Sequence, residues 1–204
     1  MPSFEAVCRR LFEKAGWMPK ALWGGAFSFV PLLNFVSFGY LMEYVHRLKR
    51  TQEWDLPEWS DFSVTELFSS GFKFFGLLLG YLGIPLFSGW TLSWFLEFIT
   101  LGFLGVLTAA PLGICAVGGT FLFVTAVSEY ARDGLYADAW RFREVATLAL
   151  KAWQDLILPI LAFWGLCLLA LPLYGFAFFL GAWILLSYST LLFTERYESS
   201  EMNT

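Results

Sequence analysis

Long apolar stretches make up most of this chain, and the charged residues are confined to short segments between them. The stretches 72–128 and 155–193 each hold enough residues for two bilayer crossings of about 20 residues. Pro172 to Gly175 is a good turn sequence at the middle of the second stretch. A water-soluble fold could not bury two such stretches at once. The pattern therefore predicts an all-α, polytopic integral membrane protein with about four spanning helices arranged as two hairpins.

The first of these hairpins contains further signals. Its outgoing leg is predicted to end at Phe87, because Ser88-Gly89 interrupts the apolar run. Segment 90–98 is rich in Trp and Phe, which is typical of the outer membrane interface. The returning leg is predicted over 100–128, with a break near Pro111.

The basic residues predict the orientation in the membrane. All 13 Lys and Arg residues fall into a few patches, and the positive-inside rule places such patches on the cytoplasmic side. The chain is therefore predicted to be a multi-pass protein of the cytoplasmic membrane with both termini in the cytoplasm. The patches are Arg9, Arg10, Lys14 and Lys20; Arg47, Lys49, Arg50 and Lys73; Arg132, Arg141, Arg143 and Lys151; and Arg196.

The apolar stretch 21–45 is shorter than the others. It is too short for two full crossings, and a single crossing would put the first basic patch outside the cell. We favour a re-entrant hairpin that turns at Pro31 to Asn34, with a single span and an external N-terminus as the alternative. Non-helical backbone at that depth must be covered by protein or face a water-filled cavity.

Three segments between the apolar stretches have apolar residues on one helical face and charged residues on the other. Each is predicted to lie in the cytoplasmic interface and to lead into an apolar stretch. The second begins with the capping box Ser63-x-x-Glu66. Together with the apolar stretches they form a single membrane domain over 1–204. The segments are the N-terminal helix in 1–16, the loop and helix in 46–71 and the loop and helix in 129–152, and the chain closes with a tail at 194–204.

The same order of elements recurs along the chain. An amphipathic helix is followed by an apolar leg, a Pro-containing turn, a second apolar leg and an exit with acidic, aromatic and basic residues. We interpret this as a weak internal repeat, although any protein built of hairpins would show a similar order. The exits are Glu43-Tyr44-x-x-Arg47, Glu129-Tyr130-x-Arg132 and Glu195-Arg196-Tyr197.

Composition agrees with the membrane class and excludes others. The chain is 58% hydrophobic and 15% charged, whereas a soluble domain is about a quarter charged. A net charge of −4 argues against nucleic-acid binding, which needs a basic face. The cysteines have no metal or redox spacing. The only histidine, His46, is expected to be solvated at the interface rather than to sense pH. We therefore predict no metal, no cofactor and no enzymatic activity.

Several motifs carry a resemblance to a known family. The most specific is the box Leu-Pro-Glu-Trp-Ser-Asp-Phe at 56–62. With the other motifs, over roughly 17–197, the chain resembles the prokaryotic membrane-protein family called domain of unknown function 4013 (DUF4013). The resemblance implies a membrane location and no particular activity. The other motifs are Gly24-Gly25, Val30-Pro31, Gly39-Tyr40, Tyr130 to Gly134 and Ala139 to Glu144.

A second resemblance covers one turn. The segment 29–34, Phe-Val-Pro-Leu-Leu-Asn, is similar to a hairpin turn of the bacterial sulfate permeases of cysteine biosynthesis. This resemblance implies a hairpin that penetrates the bilayer partway. The order of elements differs from those permeases, so no substrate is implied.

Four residues of the first apolar stretch are candidates for a pore or a turn. Asn34, near Pro31, would line a solute path or cap the turn, and we favour the cap because a polar group at membrane depth needs a partner. Gly24 and Gly25 would bind an anion through backbone N–H groups at a helix terminus. The commoner role of such small residues is to let helices approach closely.

The box supplies four further candidates. Pro57 and Trp59 are predicted to dock the loop at the interface. Glu58 and Asp61 would neutralise basic residues at 47–50 or bind a partner. We favour a structural role, because a rigid Pro with a Trp anchor suits docking whether or not anything binds.

Two functions are compatible with this sequence. The favoured one is a structural or accessory subunit that packs against other membrane proteins, since the stretches between the basic patches contain almost no charge and charges usually mark transport paths. The alternative is a homo-oligomeric channel or permease for small solutes or ions, anions included, with Asn34 on the path. Partners are then the lipid bilayer and either other membrane subunits or further copies of the chain.

Overall fold

A computed structural model of the chain describes residues 3–13 and 15–201, with side chains described up to residue 195. The predicted segments 1–16 and 194–204 therefore lie partly outside the described residues. Within the described residues the regular secondary structure is helical. The α-helices are α1 (Phe4–Glu13), α2 (Trp17–Phe29), α3 (Asn34–Thr51), α4 (Val64–Leu78), α5 (Ile84–Thr100), α6 (Ala110–Asp133), α7 (Phe142–Leu169) and α8 (Tyr174–Glu201).

Four helical stretches among the described residues are long and apolar enough to cross a membrane. This confirms the coarse prediction of a four-helix membrane architecture. Helices α5 and α6 pack together as an antiparallel pair, as do α7 and α8. The stretches are Val64–Thr100, Gly105–Asp133, Phe142–Leu169 and Leu171–Glu195.

The predicted break at Ser88-Gly89 is wrong, because α5 runs through it. The Ser88 hydroxyl donates to the carbonyl of Ile84 at 3.0 Å, so this polar group is satisfied inside the helix. Gly89 is buried, and a Cβ added there would meet Cys115 of α6. The irregularity lies earlier, in a π-helical segment at Leu79–Gly83 that joins α4 to α5.

Of the three predicted amphipathic helices, one is a separate helix among the described residues. Among the described residues, α1 is separate and packs across α8, with Val7 and Leu11 buried. The other two amphipathic segments are the first turns of α4 and α7, which continue into the apolar stretches without a break. The capping box of Ser63 and Glu66 is present at the start of α4.

The buried face of α4 coincides only in part with the apolar face that the periodicity indicates, since Leu67 lies on both. Phe72 lies on the predicted apolar face, yet it is 60% exposed. The residues that α4 buries are Leu67, Ser70, Gly71, Phe74 and Leu77. In a membrane segment the lipid-facing side is as apolar as the protein-facing side, so periodicity does not identify the interior.

Helices α2 and α3 form the hairpin predicted at 21–45, with the turn at residues 30–33. The hydroxyl of Ser37 on α3 donates to the carbonyl of Gly24 on α2 at 2.7 Å, which ties the two legs together. Leu32 has a φ of 74° in the turn. That this hairpin enters the bilayer without crossing it stays a prediction.

Helix α3 crosses α4 at backbone contact. A Cβ added to Gly39 would overlap the carbonyl of Leu67, and one added to Gly71 would overlap the carbonyl of Phe35. On its other side α3 packs against α8. The core between these helices holds the fully buried aromatic residues Tyr40, Tyr44, Phe74, Phe179 and Trp183.

The antiparallel order brings the ends of several helices together. Lys73 of α4 donates to the hydroxyl of Tyr130 near the end of α6 at 3.0 Å. The ring of His46 lies 4.8 Å from that of Tyr130, so the end of α3 is there too. We call the end of the bundle that holds His46, Lys73 and Tyr130 the basic end. The turns at residues 101–104 and 170–173 lie at the opposite ends of the α5–α6 and α7–α8 pairs.

Candidate functional site

The loop between α3 and α4 (residues 52–62, the box loop) docks on α2 and α3 through Trp59. The indole stacks on the ring of Tyr40, with centroids 3.9 Å apart. Its Nε1 donates to the carbonyl of Lys20 at 3.3 Å, and Phe27 contacts its face edge-on at 5.5 Å. The geometry of Trp59 is therefore that of a docking anchor.

Two backbone carbonyls of the box loop are also tied down. The Tyr40 hydroxyl donates to the carbonyl of Pro57 at 2.6 Å, and Pro57 is buried. The Lys20 ammonium donates to the carbonyl of Leu56 at 2.7 Å. A loop whose carbonyls are satisfied by side chains of two helices is held in one conformation, since each bond lost would expose an unpaired group.

The acidic residues of the box find basic partners. Asp61 accepts from Arg47 at 3.0 Å and Glu58 pairs with Lys20 at 2.7 Å. Glu53 also accepts from Arg47, at 2.8 Å, and these two hydrogen bonds raise the pKa of Arg47. Neutralisation by a residue of 47–50 is thus present for Asp61, whereas Glu58 uses Lys20 of α2 instead.

The box loop forms one wall of a cleft of about 780 Å³ at the basic end. Arg10 of α1 closes another side, with its guanidinium 4.4 Å above the ring of Trp54. Charges of both signs line the cleft, so it suits a zwitterionic or peptide group better than a simple ion. Its lining residues are Arg10, Glu13, Lys20, Arg47, Gln52, Glu53, Trp54, Asp55, Leu56, Pro57, Glu58 and Asp61.

The loop between α6 and α7 (residues 134–141) docks in a similar way. Trp140 stacks on Tyr81 with centroids 5.6 Å apart, and the Tyr81 hydroxyl donates to the carbonyl of Ala139 at 2.7 Å. Like the box loop at Trp59–Asp61, this loop contains a short 3₁₀ turn, at Asp138–Trp140. The two tyrosines come from different positions in the order of elements, since Tyr40 lies in α3, the helix directly before its loop, and Tyr81 in the segment between α4 and α5.

Gly24 and Gly25 lie inside α2, where they are buried. A Cβ added to Gly24 would overlap the ring of Phe179, and one added to Gly25 would overlap that of Phe176. This is the close helix approach that small residues allow. Their position within the helix does not place their N–H groups at a free terminus for an anion.

Pro31 and Asn34 border a second cavity, of about 380 Å³, between the α2–α3 turn and the α7–α8 turn (the tip pocket). The predicted cap is absent, since α3 starts without a side-chain capping hydrogen bond. Instead, Asn34 Oδ1 is buried and has no hydrogen-bond partner. The lining residues are Ser28, Phe29, Pro31, Asn34, Phe38, Leu78, Cys167, Leu171, Tyr174, Gly175 and Phe178.

Sequence reasoning missed several residues that complete each site. Lys20 and Tyr40 hold the box loop, and only the appearance of Tyr40 in a family motif pointed to it. Cys167, Tyr174 and Phe178 complete the tip pocket from α7 and α8. Apolar and aromatic residues are so frequent in this chain that nothing in the sequence separates these three from their neighbours.

His46 is not solvated as expected. Its Nε2 is buried and lacks a partner among the described residues, and burial lowers the pKa of His46 from its ordinary value of 6.5. Glu43 on the same helix opposes this shift, while Arg50 and Lys73 reinforce it. Neutral histidine is therefore the form that the folded protein favours.

We expect acid to destabilise the protein through His46. Because the folded-state pKa is depressed, the unfolded chain binds the extra proton first, so stability is complete above about pH 6.5 and falls as the pH is lowered through that value. The melting temperature in detergent, measured between pH 8 and pH 5, should fall less in His46→Phe than in the wild type. Equal falls in both proteins would contradict this role.

Comparison with protein families matches residues 24–187 to DUF4013, described as a protein of unknown function. The matched region contains the α2–α3 hairpin from Gly24 onward, both docking loops and the first half of α8. No curated protein and no solved structure matches the chain, so the likeness of the 29–34 turn to sulfate permeases stays a sequence observation. Since the match covers most of the chain, the protein belongs to the DUF4013 family.

Proposed function

We propose that this protein is an accessory subunit that packs against another membrane protein through the far end of the α5–α6 pair. The observation that carries the proposal is the exposed apolar tip at residues 98–107. Leu101 is 92% exposed, Phe103 93% and Val106 91%. Large apolar side chains exposed together in this way usually mark an interaction surface.

The tip extends beyond the α7–α8 turn. Trp164 of α7 donates to Thr120 of α6 at 3.0 Å, which sets the relative height of the two helices. From that contact α7 continues about 8 Å to Leu169 and α6 about 15 Å to Ala110, at 1.5 Å per residue. The 3₁₀ turn at Gly105–Ala109 adds roughly 10 Å at 2 Å per residue.

The length of the continuous helical stretch from α4 to the end of α5 also indicates that the tip lies far from the basic end. About 40 Å of helix separate Lys73 from Leu101 at 1.5 Å per residue, whereas the hydrocarbon core is about 30 Å thick. With the basic end in the cytoplasm, Trp90 and Trp94 would lie at the outer interface. With the helix close to the membrane normal rather than tilted, the apolar tip would then lie beyond the hydrocarbon, and a surface of another protein would cover it.

The alternative is a homo-oligomeric channel or permease for small solutes or ions. The centre of the bundle is filled by Tyr40, Tyr44 and Trp183, so a solute path would have to lie between copies. In that case the tip would be covered by a second copy of the chain.

Photo-crosslinking in native membranes tests the proposal. A photoreactive amino acid at Phe103 is expected to form one cross-linked product of defined mass with a different membrane protein. The control position is Leu158, an exposed residue of α7, which should give lipid adducts and no defined protein product.

The other outcomes are equally informative. A product of twice the chain mass would favour the channel, and anion and cation flux in liposomes that is lost in Asn34→Leu would then establish it. Lipid adducts alone at Phe103, as at Leu158, would overturn the proposal of a protein-covered tip.

A further inference from the structure

We propose that the tip pocket is a binding site for a single alkyl chain that carries a hydroxyl group. The proposal rests on the Asn34 amide and the apolar cavity beside it, and it is independent of what the α5–α6 tip contacts. Nothing in the DUF4013 description assigns a ligand to this region.

The shape and chemistry of the cavity indicate an apolar ligand body. Its volume of about 380 Å³ falls within the range of small-molecule pockets, roughly 300–1,000 Å³. Aromatic and aliphatic side chains from four helices and two turns form its walls. Leu171 and Tyr174 at its rim are more than half exposed, so an alkyl chain can enter from the lipid side.

Apart from the rim tyrosine and the weakly bonding thiol of Cys167, two side chains give the cavity hydrogen-bonding capacity. Ser28 already donates its hydroxyl proton to the carbonyl of Gly24 at 2.8 Å. Asn34 is different, because its Oδ1 is buried without a partner. Rotation of the terminal amide exchanges its oxygen and nitrogen, so Asn34 can accept from, or donate to, a group in the pocket.

A hydroxyl matches this amide in either orientation, since it is both donor and acceptor. Buried polar groups in native structures nearly always have a partner, whereas Asn34 Oδ1 has none among the described residues. An alkyl alcohol therefore satisfies Asn34 and fills the apolar walls at once. An alkane of the same length would leave the amide unpaired.

The test uses the cysteines of the chain as reporters. Cys167 lines the tip pocket, whereas Cys115 lies on α6 against Gly89 and serves as the internal control. Delipidated Cys8→Ala protein in detergent would be treated with N-ethylmaleimide, with and without decanol or decane, and both modification rates followed by mass spectrometry.

We expect decanol to slow modification of Cys167 and to leave Cys115 unchanged. Decane should protect about fivefold less well, the ratio expected for one hydrogen bond. In Asn34→Leu the two compounds should protect equally. Protection of both cysteines alike, or an unchanged preference for decanol in Asn34→Leu, would overturn the proposal.

A photoreactive diazirine analogue of decanol gives an independent readout. Adducts are expected on residues 28–38 and 165–178, and they should be lost in Cys167→Phe, which fills the cavity without altering Asn34. This variant also keeps the proposal testable if Asn34→Leu does not fold. Adducts that remain after filling, or that lie mainly on α5 and α6, would show that the pocket does not bind the alcohol.

Discussion

Replacing Gly39 by alanine should destabilise this protein severely, although the change adds only one methyl group. The new Cβ would overlap the carbonyl of Leu67, and a backbone atom cannot move aside as a side chain can. Helices α3 and α4 would have to separate along their contact, at a cost of about 3 kcal/mol or more, since overpacking of a close-packed core costs about 1–3 kcal/mol when side chains can adjust. We expect most of the variant to be lost from the monodisperse peak in detergent.

Gly118→Ala is the matched control, because it makes the same substitution in α6. No heavy atom lies within 4 Å of a Cβ at that position, and alanine is the better helix former by about 1 kcal/mol. Its melting temperature should equal or exceed that of the wild type. If Gly39→Ala melts at the same temperature as Gly118→Ala, the backbone contact between α3 and α4 is not present in the protein.

Trp59→Ala should have the second largest effect. It removes the stack on Tyr40, the hydrogen bond to Lys20 and the contact with Phe27. Truncation of a fully buried Trp costs about 3–5 kcal/mol, and because Trp59 is half-buried we expect a loss of about 2–3 kcal/mol. Equilibrium unfolding in detergent measures this loss, and limited proteolysis should cut the box loop faster.

The control for the box loop is Trp94→Ala on α5. Trp94 is 59% exposed and stacks only along its own helix, on Phe98, so its removal should change stability by less than about 1 kcal/mol. Equal losses in the two variants would mean that Trp59 does not dock the box loop. A loop cut faster in Trp59→Ala alone would support its anchoring role.

These two predictions bear on how the most specific motif of the family should be interpreted. Pro57, Trp59 and Asp61 all make contacts that hold the box loop against α2 and α3. The motif therefore holds the box loop in place, and the loop in turn forms one wall of the charged cleft. The tip pocket involves one of the shorter motifs, at Pro31, and depends on residues far away in the chain.

Several features follow from the sequence because their causes are local. The number of spans depends on the length of each apolar run, and the start of α4 on the hydrogen bonds of Ser63 and Glu66 within one turn. The α2–α3 turn follows from Pro31, and the α7–α8 turn, at residues 170–173, overlaps the turn predicted at Pro172 to Gly175. None of these needs a distant residue.

Other features were decided only by the tertiary structure. The apolar face of α4 carries both Leu67 and Phe72, but close packing at Gly39 and Gly71 buries Leu67 and leaves Phe72 60% exposed. A break at Ser88 did not form because the hydroxyl bonds within its own helix. Asn34 does not cap its turn, and it lies instead in a pocket whose other wall comes from α7 and α8.

The sequence by itself thus determined how many membrane stretches there are and roughly where the α2–α3 and α7–α8 turns fall, but it misplaced the end of the outgoing leg of the α5–α6 pair. These properties depend on hydrophobicity summed along the chain and on hydrogen bonds between near neighbours. Which face of each helix is buried, and which side chains meet in the box loop and the tip pocket, was decided only when the helices packed. Lipid and protein interior are both apolar, so the side chains alone do not distinguish them, and the fit of small residues against backbone selects one arrangement.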